Sequence, residues 1–456
     1  MTLAADAAAA PRADRRGLWG WMLFDWAAQP FHTLLLTFIF GPYFAAQVAR
    51  DPVTGQADWS LMLSVTGLLI ALLAPVLGAV ADAAGPRKPW VAAFSVPFVL
   101  GSAALWFAAP DVASTGWILV AFAVAMVGVE FAAVFNNAML PTLVPRGEVG
   151  RLSGNGWALG YLGGLATLFV MLGLLVAPAG SSTTYAGVTP LFGLDPVRFE
   201  GDRASGPLTA LWYVVFIVPF FLYTPDVARR AVGSRRQAVR EGLARLRDTL
   251  RALPERRSFA AFLASSLLYR DGLNALYGIG GIYAAGVIGL STVDLATFGI
   301  LAAAVGALGA WLGGKLDARR GPKRVVAGSI LMLIAATVLV IATDATSVFG
   351  VAVAKGTPTL AFYLAGCLIG AGGGALQAAS RNLLVMQAED AEMTEAFGLY
   401  ALSGKATAFL APFLIYVATS LSGSQAIGIT PIVVLLALGL ALLPWVRERG
   451  VREREE

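Results

Sequence analysis

The sequence is poor in the residues that build most catalytic and metal centres. Its 456 residues include one cysteine, Cys367, and one histidine, His32. A lone cysteine excludes an intrachain disulfide and a multi-cysteine metal site, and a lone histidine excludes histidine-clustered metal chemistry. Charge is scarce as well: Asp, Glu, Lys and Arg make up 13% of the chain, against about 25% in a soluble domain. Apolar residues fill the space, at 57% of the chain. The chain is therefore read as an integral membrane protein. It shows no Ser-His-Asp set and no phosphate loop, and its glycines fall within apolar stretches rather than after strands. Neither an enzyme nor a bound cofactor is expected.

Apolar stretches lie at about 18–48, 59–81, 90–109, 115–140, 152–178, 207–224, 259–290, 293–314, 324–343, 359–385, 395–420 and 426–446. Each is long enough for a spanning helix of about 20 residues. Twelve spans put both chain ends on one side of the membrane. Basic residues then sort by side. The loops facing the termini carry Arg87 and Lys88, Arg146 and Arg151, ten Lys/Arg in the middle segment, and a further cluster around Lys323. The opposite side carries Arg50, Arg198, Arg203 and Lys355. The positive-inside rule assigns both termini to the cytoplasm. A multi-pass protein of a bacterial inner (plasma) membrane is expected. The first residues, MTLAADAAAAPRADRRG, lack an apolar core and read as a cytoplasmic tail.

The division expected is a tail at 1–17, a six-helix bundle at 18–224, a linker at 225–257, a second bundle at 258–446 and a tail at 447–456. In the linker Val239, Leu243, Leu246, Leu250 and Leu253 share one helical face, with arginines on the others. Such a helix suits an anionic membrane surface. Nucleic acid is not an expected partner, and the basic sequence pI is read through the loops instead.

An internal repeat supports two halves. The second span ends GAVADAAGPRK, with Gly78, Asp82, Gly85, Arg87 and Lys88. The eighth ends GGKLDARRGPKR, with Gly313, Asp317, Gly321 and Lys323. Glycine allows a tight turn, the Asp can accept bonds from a neighbouring helix N-terminus, and the basic residues stay at the surface. These residues are read as a conformational switch rather than as solute ligands.

Twelve spans, a central loop and this paired motif resemble the major facilitator superfamily. WMLFDWAAQPFHT, FNNAMLP, RLSGNGWALGYLGG, YRDGLNALYGIGGIYAAGV, QAASRNLL and FGLYALSGKATAFLAP are similar to the vacuole-effluxer branch, whose eukaryotic members are autophagy-related amino-acid exporters. The resemblance implies an all-α fold of two pseudo-symmetric six-helix bundles rocking around a central site, coupled to an ion gradient, usually of protons.

Five charges lie well inside the spans: Asp25, Glu130, Arg270, Asp271 and Lys405. A charge at the centre of a membrane helix costs about 2.5–3.5 kcal/mol on insertion scales, so such residues mark function or find partners. Arg270 and Asp271 sit about 100° apart on a helix and cannot simply pair with each other. Arg270 is expected to face the acids of the first half, and Asp271 to face Lys405. Polar neighbours extend the candidate set: Gln29 beside Asp25, Asn137 after Glu130, Asn274 one turn beyond Arg270, and Gln377 with Arg381 on one face of the tenth span. His32 is read as a packing residue. Glycines at 156, 160 and 164, and at 366, 370 and 374, permit close helix contact. Gly278, Gly280 and Gly281 are expected to let the seventh helix bend or unwind. The acidic loop with Glu389, Asp390, Glu392 and Glu395 suits the start of the eleventh helix.

The function expected is secondary active transport of a small polar solute, an amino acid or similar metabolite, by alternating access. Export and proton coupling rest on the resemblance. In this reading Arg270 or Lys405 holds a carboxylate, while Asp25 or Glu130 faces an ammonium or a coupling proton. The partners are a small solute, coupling ions and membrane lipids, with the chain acting as a monomer. The alternative is a non-transporting assembly factor, or a pigment- or lipid-binding protein of the same fold.

Overall fold

The computed structural model describes residues 13–84, 86–144, 149–178, 181–226, 256–387, 400, 403–404 and 407–448. The first helix, α1 (Arg15–Val48), starts under Asp14, whose carboxylate accepts the Gly17 N–H at 2.7 Å. Pro30 ends its regular part. Proline has no N–H to give Trp26 O, and that carbonyl accepts instead from Trp212 Nε1 at 3.1 Å. The helix continues in wider π-turns over Phe31–Phe38 and Phe44–Val48.

The second helix, α2 (Pro52–Ala84), begins earlier than the expected residue 59. Asp51 explains this, because its carboxylate accepts the N–H groups of Thr54 (2.9 Å) and Val53 (3.0 Å) and so caps the helix start. These bonds, with Thr54 leading, hold the Asp51 carboxyl below its ordinary range. Next come α3 (Lys88–Ala104), α4 (Gly116–Asn137), α5 (Val149–Val170, with a π-turn to Leu175) and α6 (Glu200–Tyr223). The start of α6 also precedes the expected residue 207. Its first turn is polar, with Glu200 and Arg203 facing each other one turn apart, and so reads as loop in the sequence.

The second half holds α7 (Arg257–Tyr283, with a π-turn to Ile288), α8 (Thr292–Arg320) and α9 (Pro322–Ile341). A hairpin of β1 (Ser347–Val348) and β2 (Val351–Ala352) follows, pairing Ser347 with Ala352 and Val348 with Val351. Then come α10 (Thr357–Val385), α11 (Leu410–Ser422) and α12 (Thr430–Leu442). Among the described residues ten helices are long and apolar enough to cross a membrane. The two remaining expected places are taken by α7, which is long but diluted by its polar residues, and by α11, which is short where described.

The helices alternate in direction. One end of the molecule, the terminal end, holds the start of α1 and the close of α12. The far end holds the α1–α2, α3–α4, α5–α6, α7–α8, α9–α10 and α11–α12 connections. Within the first half α1 packs on α5 and α6, and α3 packs on α4 and α6. Within the second, α10 lies between α8 and α9, and α12 packs on α7 and α9. Contact between α2 and α11 joins the halves. The glycine stripes of α5 and α10 lie at these contacts: Gly160 approaches Asp25 of α1, and Gly370 approaches Ala302 of α8. Most of the linker, the acidic loop at 389–395 and Lys405 lie outside the described residues.

Candidate functional site

Asp25 lies on α1 about 15 Å from its start at Arg15, at 1.5 Å per residue. Its side chain is half-buried against the bare backbone of α5. A Cβ on Gly156 would stand 2.7 Å from Asp25 Oδ2, and one on Gly160 would stand 3.2 Å from Asp25 Cβ. Gly164 makes the same kind of room for Gln29, whose Cγ would be 3.1 Å away. The stripe is thus more than a packing surface, because its missing side chains are what admit the Asp25 carboxylate between two helices.

Arg270 and Asp271 lie near the middle of α7, and both turn toward the eleventh helix. Arg270 Nη1 donates to Tyr400 O at 2.8 Å, and its guanidinium lies 4.2 Å from the Tyr400 ring centroid. A Cβ on Gly404 would stand 2.6 Å from the Arg270 guanidinium carbon, so only glycine leaves this seat open. Asp271, 2% exposed, accepts the Ala411 N–H on Oδ2 at 2.9 Å. Its other oxygen is buried and has no hydrogen-bond partner among the described residues. Lys405, the partner expected for Asp271, lies outside the described residues. Among the described residues, the basic group takes a backbone carbonyl and an aromatic face instead of acids from the first half. The acid takes a backbone amide.

The amide is available because α11 is interrupted. Leu410 N bonds Thr407 O three residues back, and Pro412 has no N–H. A carboxylate at the start of the Leu410–Ser422 segment also meets the positive end of its dipole. By contrast, α7 does not unwind at its glycines, since Gly278, Gly280 and Gly281 all lie inside the regular helix. The break expected in α7 belongs to α11.

Other candidates spread outward from this centre. Asn274 is exposed on α7, one turn past Arg270. Gln377 is half-buried and Arg381 exposed on α10, and Arg381 lies within electrostatic reach of Tyr161 on α5, across the two halves. Glu130 is half-buried on α4. Asn137 is exposed at the end of α4, away from mid-membrane, while its neighbour Asn136 is fully buried, with both side-chain amide atoms unpartnered among the described residues and its backbone carbonyl accepting from Trp21 Nε1 at 2.8 Å. Helix phase separates the two asparagines by about 100°, and neighbours on α1 decide which is covered.

The repeated turns have a shared construction that the sequence did not reveal. In the first half Asp226, just beyond α6, accepts Arg87 N (2.7 Å) and Lys88 N (3.0 Å), and Lys88 Nζ reaches Phe221 O (2.9 Å). In the second half Glu448, beyond α12, accepts Lys323 N (2.8 Å), and Lys323 Nζ reaches Val446 O (2.7 Å). An acid thus caps the third helix of each bundle, and a lysine of that helix caps the sixth. Among the described residues, the Asp317 carboxylate accepts from Asn382 Nδ2 of α10. Gly321 turns the chain with φ +82°, a value that favours glycine. Gly85 and the side chain of Asp82 lie outside what the structure describes.

Sequence reading also missed the far end, where the halves meet. Gln56 Nε2 of α2 donates to Thr419 Oγ1 of α11 (3.0 Å) and to Gln425 O (3.2 Å), and Gln425 Nε2 returns a bond to Gln56 Oε1 (3.2 Å). Thr292 Oγ1, at the start of α8, donates to Asp202 of α6. Phe38 packs edge-on against Phe298. These hydrogen bonds join the halves at this end. Neutral polar residues at span ends give no sequence signal that separates a seal from a solvated cap.

Comparison with known proteins agrees with this architecture. A model of the vacuole effluxer Atg22-like family matches residues 56–455. The uncharacterized MFS-type transporter YxiO of Bacillus subtilis (strain 168) is 23% identical over 433 residues, covering 94% of each chain. Among solved structures, a mutant of the nucleoside transporter NupG aligns with a TM-score of 0.64 at 15% identity, covering 95% of this chain and 100% of that one. A D-xylose-proton symporter aligns at 0.64 and 13% identity, with 95% and 97% covered. A bacterial homolog of the human lysosomal transporter Spinster, inward-facing and occupied, aligns at 0.63 and 15% identity, with 96% and 97% covered. At these identities the structural likeness speaks for the fold alone.

Proposed function

Because the chain belongs to the vacuole effluxer Atg22-like family, and so to transporters of the major facilitator type, we propose that it exports a small zwitterion, an amino acid or similar metabolite, by proton-coupled alternating access. The observation that carries this reading is the pair on α7, with Arg270 and Asp271 held against the interrupted α11. Arg270 has five N–H donors and gives one of them to Tyr400 among the described residues. Its remaining donors suit a solute carboxylate, aided by Arg381 and Lys405. Asp25 and Glu130 in the first half suit an ammonium or a coupling proton. With the basic loops cytoplasmic, the far end faces outward, and the state described is sealed on that side.

The test is reconstitution in proteoliposomes with an imposed pH gradient and a panel of labelled amino acids. Arg270→Ala and Asp271→Asn each abolish flux while the protein remains folded by thermal shift. Flux at the unmodified level in both variants rejects the assignment.

A further inference from the structure

Two loops at the far end each display a phenylalanine in a conformation that phenylalanine avoids. Phe192, between α5 and α6, has φ +61° and is 91% exposed. Phe349, in the β1–β2 turn, has φ +53° and is 63% exposed. Left-handed backbone is strained for any residue with a Cβ, and an outward aromatic ring in water gains nothing from packing. Each is joined by another exposed apolar side chain, Val197 at 84% and Val351 at 64%. Backbone strain of this kind persists where the surroundings impose it and the display has a use.

Hydrogen bonds fix both loops at the level of the span ends. Tyr185 N bonds Leu172 O, and Thr184 Oγ1 bonds Gly173 O, so the α5–α6 loop folds back beside the last turn of the Asn155–Leu175 span. Phe349 N bonds Ala342 O, the residue that follows α9. Neither loop can rise far from the membrane. The outward stripe of α5 is itself apolar, with Phe169 largely exposed below the loop. The loop acids are engaged within the loop: Asp195 accepts Val197 N, and Glu200 accepts Asp195 N. Arg198 is exposed next to Val197 and suits a lipid phosphate.

We propose that Phe192 and Phe349 are membrane anchors, one from each half, that dip into the acyl–headgroup boundary of the leaflet at the far end. The lipid-facing belt of the molecule thereby extends past its helices. As the halves rock, each carries its own anchor, so the loops stay at the interface and follow the bundle that bears them.

Single cysteines at 192 and 349, in a Cys367→Ser background, carry a nitroxide label in proteoliposomes. Collisions with lipid-soluble oxygen and with a water-soluble nickel complex are then compared. Phe169→Cys supplies the lipid reference and Ala345→Cys the water reference. Oxygen collisions exceed nickel collisions at 192 and 349, as at 169, and the order inverts at 345. Labels at 192 and 349 that follow the water reference overturn the proposal. So do labels shielded from both reagents, which point to a second copy or another protein on these loops. Should a phenylalanine variant fail to fold, the labels move to the exposed neighbours Val197 and Val351 with the same two readings.

Discussion

Arg270 and Asp271 are neighbours in sequence and both close on the eleventh helix, at points on either side of its interruption. The guanidinium holds the Tyr400 carbonyl and the carboxylate holds the Ala411 amide. Each charge meets backbone of opposite partial charge, so two costly groups stabilise one irregular helix. Removing the carboxylate leaves a buried N–H unmet, which costs about 1–3 kcal/mol. Asp271→Ala is therefore expected to lower the unfolding temperature. Asp271→Asn, which keeps an acceptor oxygen, lowers it less while still losing flux. A stability ordering of wild type, Asn, then Ala in nanodisc thermal scans checks the cap, and the flux assay checks the charge.

Gly156 gives a second measurement. Its missing Cβ is the space beside Asp25 Oδ2. Gly156→Val forces the carboxylate or α5 to move, and overpacking of this kind costs about 1–3 kcal/mol. Gly156→Ala is the milder version. Both are expected to reduce flux, with Val the more severe. Unchanged flux in Gly156→Val argues against a working carboxylate at Asp25.

The far-end seal predicts a trap. Asp202 and Thr292 belong to different halves and share a hydrogen bond. Cysteines at both positions, in a Cys367→Ser background, should couple with a short thiol crosslinker and stop flux. A cleavable linker restores flux on reduction. Full flux in the crosslinked protein shows that the two helices need not part during the cycle.

The capped turns predict additivity. Asp226→Ala and Glu448→Ala each remove an acceptor from a helix start, and a lost cap costs about 1 kcal/mol. The two sites lie in separate bundles and cap different helices, so the double variant should sum the single losses. Thermal shifts of the three variants decide the matter. A double variant no worse than either single one would place both caps in one cooperative unit.

Asp344 offers a pH measurement outside the spans. The Ser347 hydroxyl first, then the Thr346 and Ser347 N–H groups, pull its carboxyl down from the usual range to about 2. A lowered folded value means that the charged form supports the turn. That support is fully present above the unfolded value of about 3.9 and fades as pH falls through about 2. Protection of the β1–β2 turn amides, taken against their intrinsic exchange at each pH, should therefore fall below pH 4 in the unmodified protein. In Asp344→Asn this protection should be low already at neutral pH and should vary less with acid.

The helical plan was legible because a membrane allows few solutions: long apolar stretches, a basic bias and a repeated turn announce themselves in one dimension. Helix starts were less legible. Pro52 and Glu200 begin helices inside polar stretches that hydropathy assigns to loops, and the cap at Asp51 is what turns the first into helix. Helical phase correctly kept Arg270 and Asp271 from pairing with each other; the charge census sent Asp271 toward the eleventh helix, where it lies, and Arg270 toward the first half, whereas its described partner is Tyr400. The common partner depends on the gap at Ala411 and Pro412, and a carboxylate from another helix is needed to recognise that gap as an anchor. Asp226 and Glu448 were invisible for a similar reason. Each works on a helix more than a hundred residues away in the chain, and nothing local marks the return.

The amide seal has a consequence for electrical behaviour. Gln56, Thr419 and Gln425 carry no formal charge, so parting them moves none through the membrane field. A unit charge crossing the full field would exchange about 2.3 kcal/mol per 100 mV; these three side chains exchange essentially none. Voltage sensitivity of the cycle must then enter through the titratable and basic side chains elsewhere in the spans, Asp25, Glu130, Arg270, Asp271 and Arg381 among them, or through the solute itself. The gate made by these residues answers to packing and hydrogen bonding and is indifferent to the polarity of the cell.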